Sequence, residues 1–224
     1  MAAFNEAERI AATLAALAAA LPGAVVWVAD DGSRDGTAEI ARGGGALLVR
    51  SERMIGKGAA MTLAAGEALR ASLADPERDG EGDVFVLCDG DLGESAAQLA
   101  ALVAAVRRGE ADVAVGAFAR RLGGGVGLAL GFARWAIRRR CGLDCRAPIS
   151  GQRALGRGAL ADVLPLAAGY GMEIGMTIDA VRAGRRVLEI ELDLSHRSSG
   201  RTLAGFAHRG RQLIDFVRVY RSRR

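Results

Sequence analysis

Aromatic residues make up only 4 % of this 224-residue chain, and it has four prolines, three cysteines and two histidines. Each scarcity excludes something. Cys88, Cys141 and Cys145 show no paired C-x-x-C spacing, so neither a zinc site nor a disulfide framework is read from them. A reducing cytoplasm is the expected compartment. No run reaches ~18 apolar residues free of charge, so no membrane-spanning helix is expected. The opening MAAFNEAERI carries acids where a signal peptide would carry basic residues. It reads as the last residues of a strand whose first half is absent, so a shortened start is expected.

What is present suits one globular domain with a continuous core: half the residues are hydrophobic and a quarter are charged. The net charge of +4 is unevenly spread, with basic residues gathered at 138–140 and along 197–224. An anionic partner (nucleic acid, lipid headgroups or a phosphorylated metabolite) suits such a face, and so does plain solvation.

Periodicity supplies the elements. Asn5 as N-cap, Glu8 three residues on, and Ile10, Leu14, Leu17 and Leu21 at near-helical spacing predict a helix over 5–21, ended by Pro22 and Gly23. Residues 24–29 are continuously apolar, as in a strand buried on both faces. A helix from Thr37, a strand at 46–49 and a helix over 58–73 follow. After a polar linker at 75–83, VFVLCDGD gives a second strand ending in carboxylates. A helix over 95–107 and strands at 113–115 and 187–194 continue the series. Such alternation predicts an α/β fold, a mostly parallel sheet flanked by helices in a single domain, with ligands at the carboxyl ends of the strands.

Two acid clusters sit at such ends. In VVWVADDGSRDGT the apolar run stops at Asp30 and Asp31, which repel each other unless something positive or hydrogen-bonding separates them. In VFVLCDGDLG, Asp89 and Asp91 flank Gly90, which lets a ligand approach the backbone. Paired hard oxygens suit Mg²⁺ or Mn²⁺, ions that usually keep substrate phosphates as further ligands. A lone D-x-D is common in turns, and its combination with D-D-G-S is what gives it weight. The GKG at 56–58 lacks the earlier glycine and following Ser/Thr of a Walker loop, so a P-loop NTPase is disfavoured.

AAFNEAERI, VADDGSRDGT, GKGAAMTLAAGEA and LCDGDLG, in that order, resemble the motifs of family 2 glycosyltransferases, nucleotide-sugar enzymes with the Rossmann-like GT-A fold. The resemblance covers residues 3–118, the expected nucleotide-sugar-binding half, and leaves 119–224 as the acceptor-side half. It implies that Ala3, Phe4, Asn5 and Glu6 line the nucleoside pocket. Asp31 would bind base or ribose and Asp30 would shape that turn, with Lys57 near the diphosphate and Gly90 beside the donor. Asp91 would coordinate the metal, and Asp89 would contact ribose or metal.

In the second half, APISGQR resembles the acceptor-side S-G-x-R of polyprenyl-phosphate sugar transferases and the matching region of glucosyl-3-phosphoglycerate synthases. PLAAGYGMEIGMTIDAV is closer to the synthases. By that likeness Ser150, Gly151, Arg153 and Tyr170 serve sugar or acceptor, Glu173 acts at the reacting centre, and His196 is a third metal ligand. Glu173 would be a general base in an inverting transfer or a hydroxyl binder in a retaining one. Arg197, Arg201, His208 and Arg209 are further candidates for an anionic acceptor. The chain departs from both groups: Gly93 stands where many polyprenyl-phosphate mannose transferases carry a metal-binding side chain, their transmembrane tail is missing, and the synthases are longer.

The function expected is metal-dependent transfer of a hexose from a UDP- or GDP-sugar to a phosphorylated acceptor, either polyprenyl phosphate or a 3-phosphoglycerate-like metabolite. No nucleic-acid partner is expected. GFARWAIRRR and RGRQLIDFVRVYRSRR set apolar beside basic residues, which suits peripheral contact with an anionic membrane, core packing or a homodimer contact. The alternatives are a sugar-phosphate nucleotidyltransferase, disfavoured because AAFNEAERI lacks a glycine-rich basic signature, and an inactive relative or basic binding module.

Overall fold

The computed structural model describes residues 1–74, 82–118, 127–194 and 203–223. The strands are β1 (Ala2–Ala3), β2 (Trp27–Asp30), β3 (Leu47–Arg50), β4 (Val84–Leu87), β5 (Val113–Phe118), β6 (Arg153–Gly156) and β7 (Val187–Leu192). The α-helices are α1 (Ile10–Ala20), α2 (Thr37–Gly43), α3 (Lys57–Ala74), α4 (Leu99–Arg107), α5 (Gly127–Cys141), α6 (Arg157–Val163), α7 (Met172–Arg182) and α8 (Leu203–Ser222). Short 3-10 turns at Gly93–Gln98 and Gly169–Gly171 lead into α4 and α7.

β1, β2 and β3 pair in parallel, and β4, β6, β5 and β7 form a second group. Ala2 joins the groups: its N–H donates to the Cys88 carbonyl at 2.9 Å and its carbonyl accepts from the Gly90 N–H at 2.8 Å. β6 runs antiparallel to both β4 and β5, while β5 and β7 are parallel. The parallel sheet is therefore interrupted by one reversed strand, which periodicity missed. Arg153–Gly156 is too short, and too polar at one end, to advertise itself as apolar alternation.

Helices cover both faces. On one, Ile10, Leu14 and Leu17 of α1 pack with Leu99 and Leu102 of α4 against Val28 and Cys88. On the other, Met61, Ala64 and Ala65 of α3 meet Leu160, Met172 and Met176. Each fully buried Leu or Met contributes about 1.5–3 kcal/mol, and the alanines of α3 let the helix lie close to the sheet. A third cluster joins Ala133 and Ile137 of α5 to Ile174 and Ile178 of α7 and to Phe216 and Val219 of α8. Phe132, Trp135 and Tyr220 meet beside it in tilted and edge-on contacts, and Arg140 lies over the Tyr220 ring at 3.8 Å. Ala133 and Ile137 of α5 and Phe216 and Val219 of α8 are thus core residues, while Trp135, Leu213 and Ile214 are exposed. The last turn is tied down by Arg223, whose Nε and Nη2 donate to the Asp179 carboxylate at 3.0 and 2.7 Å.

Two expectations are corrected. α1 starts at Ile10, with Arg9 at its N-cap, and Asn5 adopts φ 55°. Its N–H donates to Ser33 Oγ and its Oδ1 accepts from the Arg34 N–H, so Asn5 serves the neighbouring loop and not the helix. The strand read over 24–29 is Trp27–Asp30, and Val25 is 61 % exposed. Val25 and Val26 line a cavity of about 680 Å³ together with Met1, Leu47 and Val84.

Candidate active site

The carboxyl ends of β2 and β4 bring both acid clusters to one edge of the sheet. Asp30 is fully buried; its Oδ1 accepts from the Ser33 N–H at 2.9 Å and its Oδ2 lies 3.2 Å from Arg50 Nε. Arg50 also donates to the Ser33 carbonyl, so one guanidinium from β3 stitches the D-D-G-S turn. Asp31, 6 % exposed, accepts from the N–H groups of Ile55 and Gly56 at 2.6 and 2.9 Å. The two acids coexist because each has its own donors. Glu6 is held alongside through its N–H to Thr37 Oγ1, Ala3 is buried with its carbonyl accepting from the Asp31 N–H, and Phe4 is 44 % exposed at the rim.

The turn after β4 is fixed from beneath by Thr13, fully buried on α1. Its Oγ1 donates to the Gly90 carbonyl and accepts from the Gly93 N–H, both at 2.8 Å. Gly90 is pressed so closely on β1 that an added Cβ would sit 3.1 Å from the Ala2 carbonyl oxygen. Arg9 Nη1 donates to the Asp91 carbonyl, and the Asp91 side chain is half-buried.

Lys57, first residue of α3, occupies the centre. Its Nζ lies 2.8 Å from Asp89 Oδ1 and 3.0 Å from Glu173 Oε1 of α7. Burial disfavours its ammonium, but the two carboxylates outweigh that and hold its pKa above the ordinary lysine value. Gln152 completes the group, its Nε2 donating to Asp89 Oδ2 at 3.0 Å. Gly151 makes room: a Cβ there would lie 2.7 Å from Lys57 Nζ and 3.1 Å from Asp89 Oδ2. Lys57, Asp89, Gly151 and Glu173, chosen from distant motifs, are therefore assembled in one place.

Other predicted residues lie elsewhere. Arg153, expected to face an acceptor, is 1 % exposed; its Nε donates to the Ser150 carbonyl and its Nη1 to Thr177 Oγ1, both at 2.9 Å. The correction follows from the pleat, which sends consecutive side chains to opposite faces of β6. Ser150 is buried as well, and Tyr170 is half-buried with its N–H donating to Asp215 Oδ2. His196, Arg197 and Arg201 lie outside the described residues, as do the side chains of His208 and Arg209. Thr13, Arg50, Gln152 and Thr177 went unnoticed in the sequence. A threonine on the apolar stripe of an Ala/Leu helix was the one available signal.

Among the described residues no group of three or more His, Cys, Asp and Glu side chains forms a ready metal cage. The donors present still fit a hard divalent ion, because Mg²⁺ is commonly held by one or two carboxylates with substrate phosphates completing its shell. Asp89 has both oxygens engaged by Lys57 and Gln152, and Asp91 follows two residues on in the same turn.

Residues 1–140 match the model of Glycosyl transferase family 2, and the chain belongs to that family. It is a nucleotide-sugar-dependent glycosyltransferase with the GT-A-type α/β architecture. Among solved structures it is similar to glucosyl-3-phosphoglycerate synthase from Mycobacterium tuberculosis. The form with Mg²⁺ and uridine diphosphate is 26 % identical, with a TM-score of 0.74 over 99 % of this chain and 76 % of that one. The form with Mn²⁺, UDP-glucose and phosphoglyceric acid is 26 % identical, with a TM-score of 0.71 over 98 % and 77 %. A third, with Mn²⁺, uridine diphosphate and glucosyl-3-phosphoglycerate, is 25 % identical with a TM-score of 0.68. No curated protein matches the chain.

Proposed function

We propose that this enzyme transfers glucose from UDP-glucose to a small phosphorylated carboxylate of the 3-phosphoglycerate type. The observation that carries this reading is the extent of the likeness. It runs through 98 % of the chain to a synthase bound to UDP-glucose and phosphoglyceric acid, and so includes the acceptor-side half. No helix among the described residues is long and apolar enough to cross a membrane.

In this reading the exposed Phe4 and the loop held by Asp31 receive the nucleoside. Lys57 turns from its two carboxylates toward the diphosphate, where an ammonium offsets the charge that develops as the sugar departs. Asp91, with Asp89 beside it and His196 as third ligand, would hold a divalent cation whose contribution is to neutralise that same charge. Glu173 accepts from the sugar hydroxyls at the reacting centre once Lys57 has moved. Basic residues of 197–209 meet the acceptor phosphate.

The test is release of nucleoside diphosphate from UDP-, GDP- and ADP-sugars with Mn²⁺ or Mg²⁺, adding 3-phosphoglycerate or a short polyprenyl phosphate separately. UDP-glucose turnover that is chelator-sensitive and accelerated by 3-phosphoglycerate is expected. Acceleration by polyprenyl phosphate alone would reject the acceptor.

A further inference from the structure

A guanidinium sealed in a protein interior needs a reason, because an unpaired buried charge is expensive and replacing it with an apolar side chain is often neutral or stabilising. Arg153 is such a group. It forms no ion pair among the described residues, and its Nη2 is buried without a hydrogen-bond partner. Burial pulls its pKa down to about 10, and of the charges that pull it back up the Glu173 carboxylate is the strongest, ahead of Cys145 and Glu189. Glu189 is already engaged: it accepts from the N–H groups of Arg146 and Ala147 and lies 3.6 Å from the Arg146 guanidinium. Glu173 is then the carboxylate to follow.

The hydrogen bonds lead to the same place. Arg153 Nη1 donates to Thr177 Oγ1, and Thr177 Oγ1 donates to the carbonyl of Glu173 one turn earlier, at 3.0 Å. The strand beneath the site thus grips the first turn of α7 through one threonine. Glu173 is thus held at two points: its carboxylate by Lys57, partly exposed and shared with Asp89, and its carbonyl, through Thr177, by Arg153, which is sealed in.

We propose that Arg153 is a positioning residue, a fixed buried cation that holds the first turn of α7 and offsets the Glu173 carboxylate when Lys57 turns to the donor diphosphate. Without it, releasing Lys57 would strand a buried carboxylate, so Lys57 would stay on Glu173. The inference rests on the roles given above to Glu173 and Lys57.

The experiment compares Arg153→Lys, Arg153→Gln and Arg153→Met, each alone and with Glu173→Gln, by turnover of UDP-glucose, affinity for UDP measured by titration calorimetry, and thermal melting. Loss of the charge in the Gln and Met variants is expected to lower turnover and weaken UDP binding about 10–100-fold, in keeping with the coupling energies of groups in one network. Arg153→Lys restores most of both, and the melting temperatures of the Gln and Met variants do not fall in step. Adding Glu173→Gln to Arg153→Met returns UDP affinity toward wild type, because Lys57 is then held by Asp89 alone and no buried Glu173 charge is left when it turns away. Wild-type turnover and affinity in Arg153→Met, or losses as large in the Lys variant, would overturn the proposal. So would losses that track melting temperature, or a double variant whose UDP binding is weaker still. Full turnover of Glu173→Gln alone would instead reject the role of Glu173, a separate failure from an active Arg153→Met beside a crippled Glu173→Gln.

Discussion

Two strands of this protein end in a pair of acids, and they treat them in opposite ways. At the end of β2, Asp30 and Asp31 are received by main-chain N–H groups of Ser33, Ile55 and Gly56 and by Arg50, itself tied to a carbonyl. At the end of β4, Asp89 is received by the tips of two long side chains, Lys57 and Gln152. Backbone donors are fixed with the fold and cannot be withdrawn without local unfolding. An ammonium on a four-carbon stem can be withdrawn by rotating bonds. The first pair shapes a loop, and in the proposed function Asp89 of the second gives up Lys57 to the donor.

The comparison yields measurements, beginning with the largest expected effect. Asp91→Asn should lower UDP-glucose turnover about 10²–10³-fold, the usual loss when one charge-stabilising group is removed, while melting stays near wild type. A folded variant with full turnover would break the contrast at once. Lys57→Met should come next, with turnover down about 10²-fold and the protein less stable. Because the folded-state pKa of Lys57 lies above its unfolded value, the ammonium's contribution is complete below the ordinary lysine range and lost only as pH climbs through the raised value. The melting difference between Lys57→Met and wild type should therefore be flat from about pH 6 to pH 9. A difference that shrinks across that window would refute the assignment.

Asp31→Ala strands the Ile55 and Gly56 N–H groups, and should lower stability by about 1–3 kcal/mol in denaturant titrations. Asp89→Ala should cost less, because it strands no main-chain donor and leaves Lys57 paired with Glu173, so equal losses in the two variants would erase the distinction. The smallest effect belongs to a carboxylate outside both clusters. Hydrogen bonds from the Arg186 side chain and N–H hold the Asp112 carboxyl below the usual range. Its contribution is present above the ordinary carboxylate value and lost as pH falls through the lowered one. Asp112→Asn should accordingly cost only about 0.2–1 kcal/mol at neutral pH and nothing in strong acid.

The parts of the site legible in the sequence were those in which one local pattern carries the information. An apolar run ending in D-D-G-S or in D-G-D marks a strand end and its acids whatever lies around them, and GKG before an alanine-rich helix marks Lys57. Hidden were the contacts that depend on which strand lies next to which. Gln152 meets Asp89 because β6 lies beside β4, and no spacing along the chain encodes that neighbour. Arg153 was misjudged for a related reason: arginine suggests phosphate, and only the pleat reveals that its side chain turns inward. Asn5 had the composition of a cap but was claimed by Ser33 and Arg34, residues nearly thirty positions away.

The reversed strand β6 also bears on how the polypeptide comes off the ribosome. β4 and β5 are not neighbours; the strand that lies between them is made about 70 residues after β4 and 40 after β5. At ordinary elongation rates the facing edges of β4 and β5 wait for roughly 4–14 s and 2–8 s with their hydrogen-bonding groups unpaired. Unpaired edges are what other chains add to. The nascent protein is thus exposed to association with its neighbours during the interval in which β1 to β5 have been made and β6 has not.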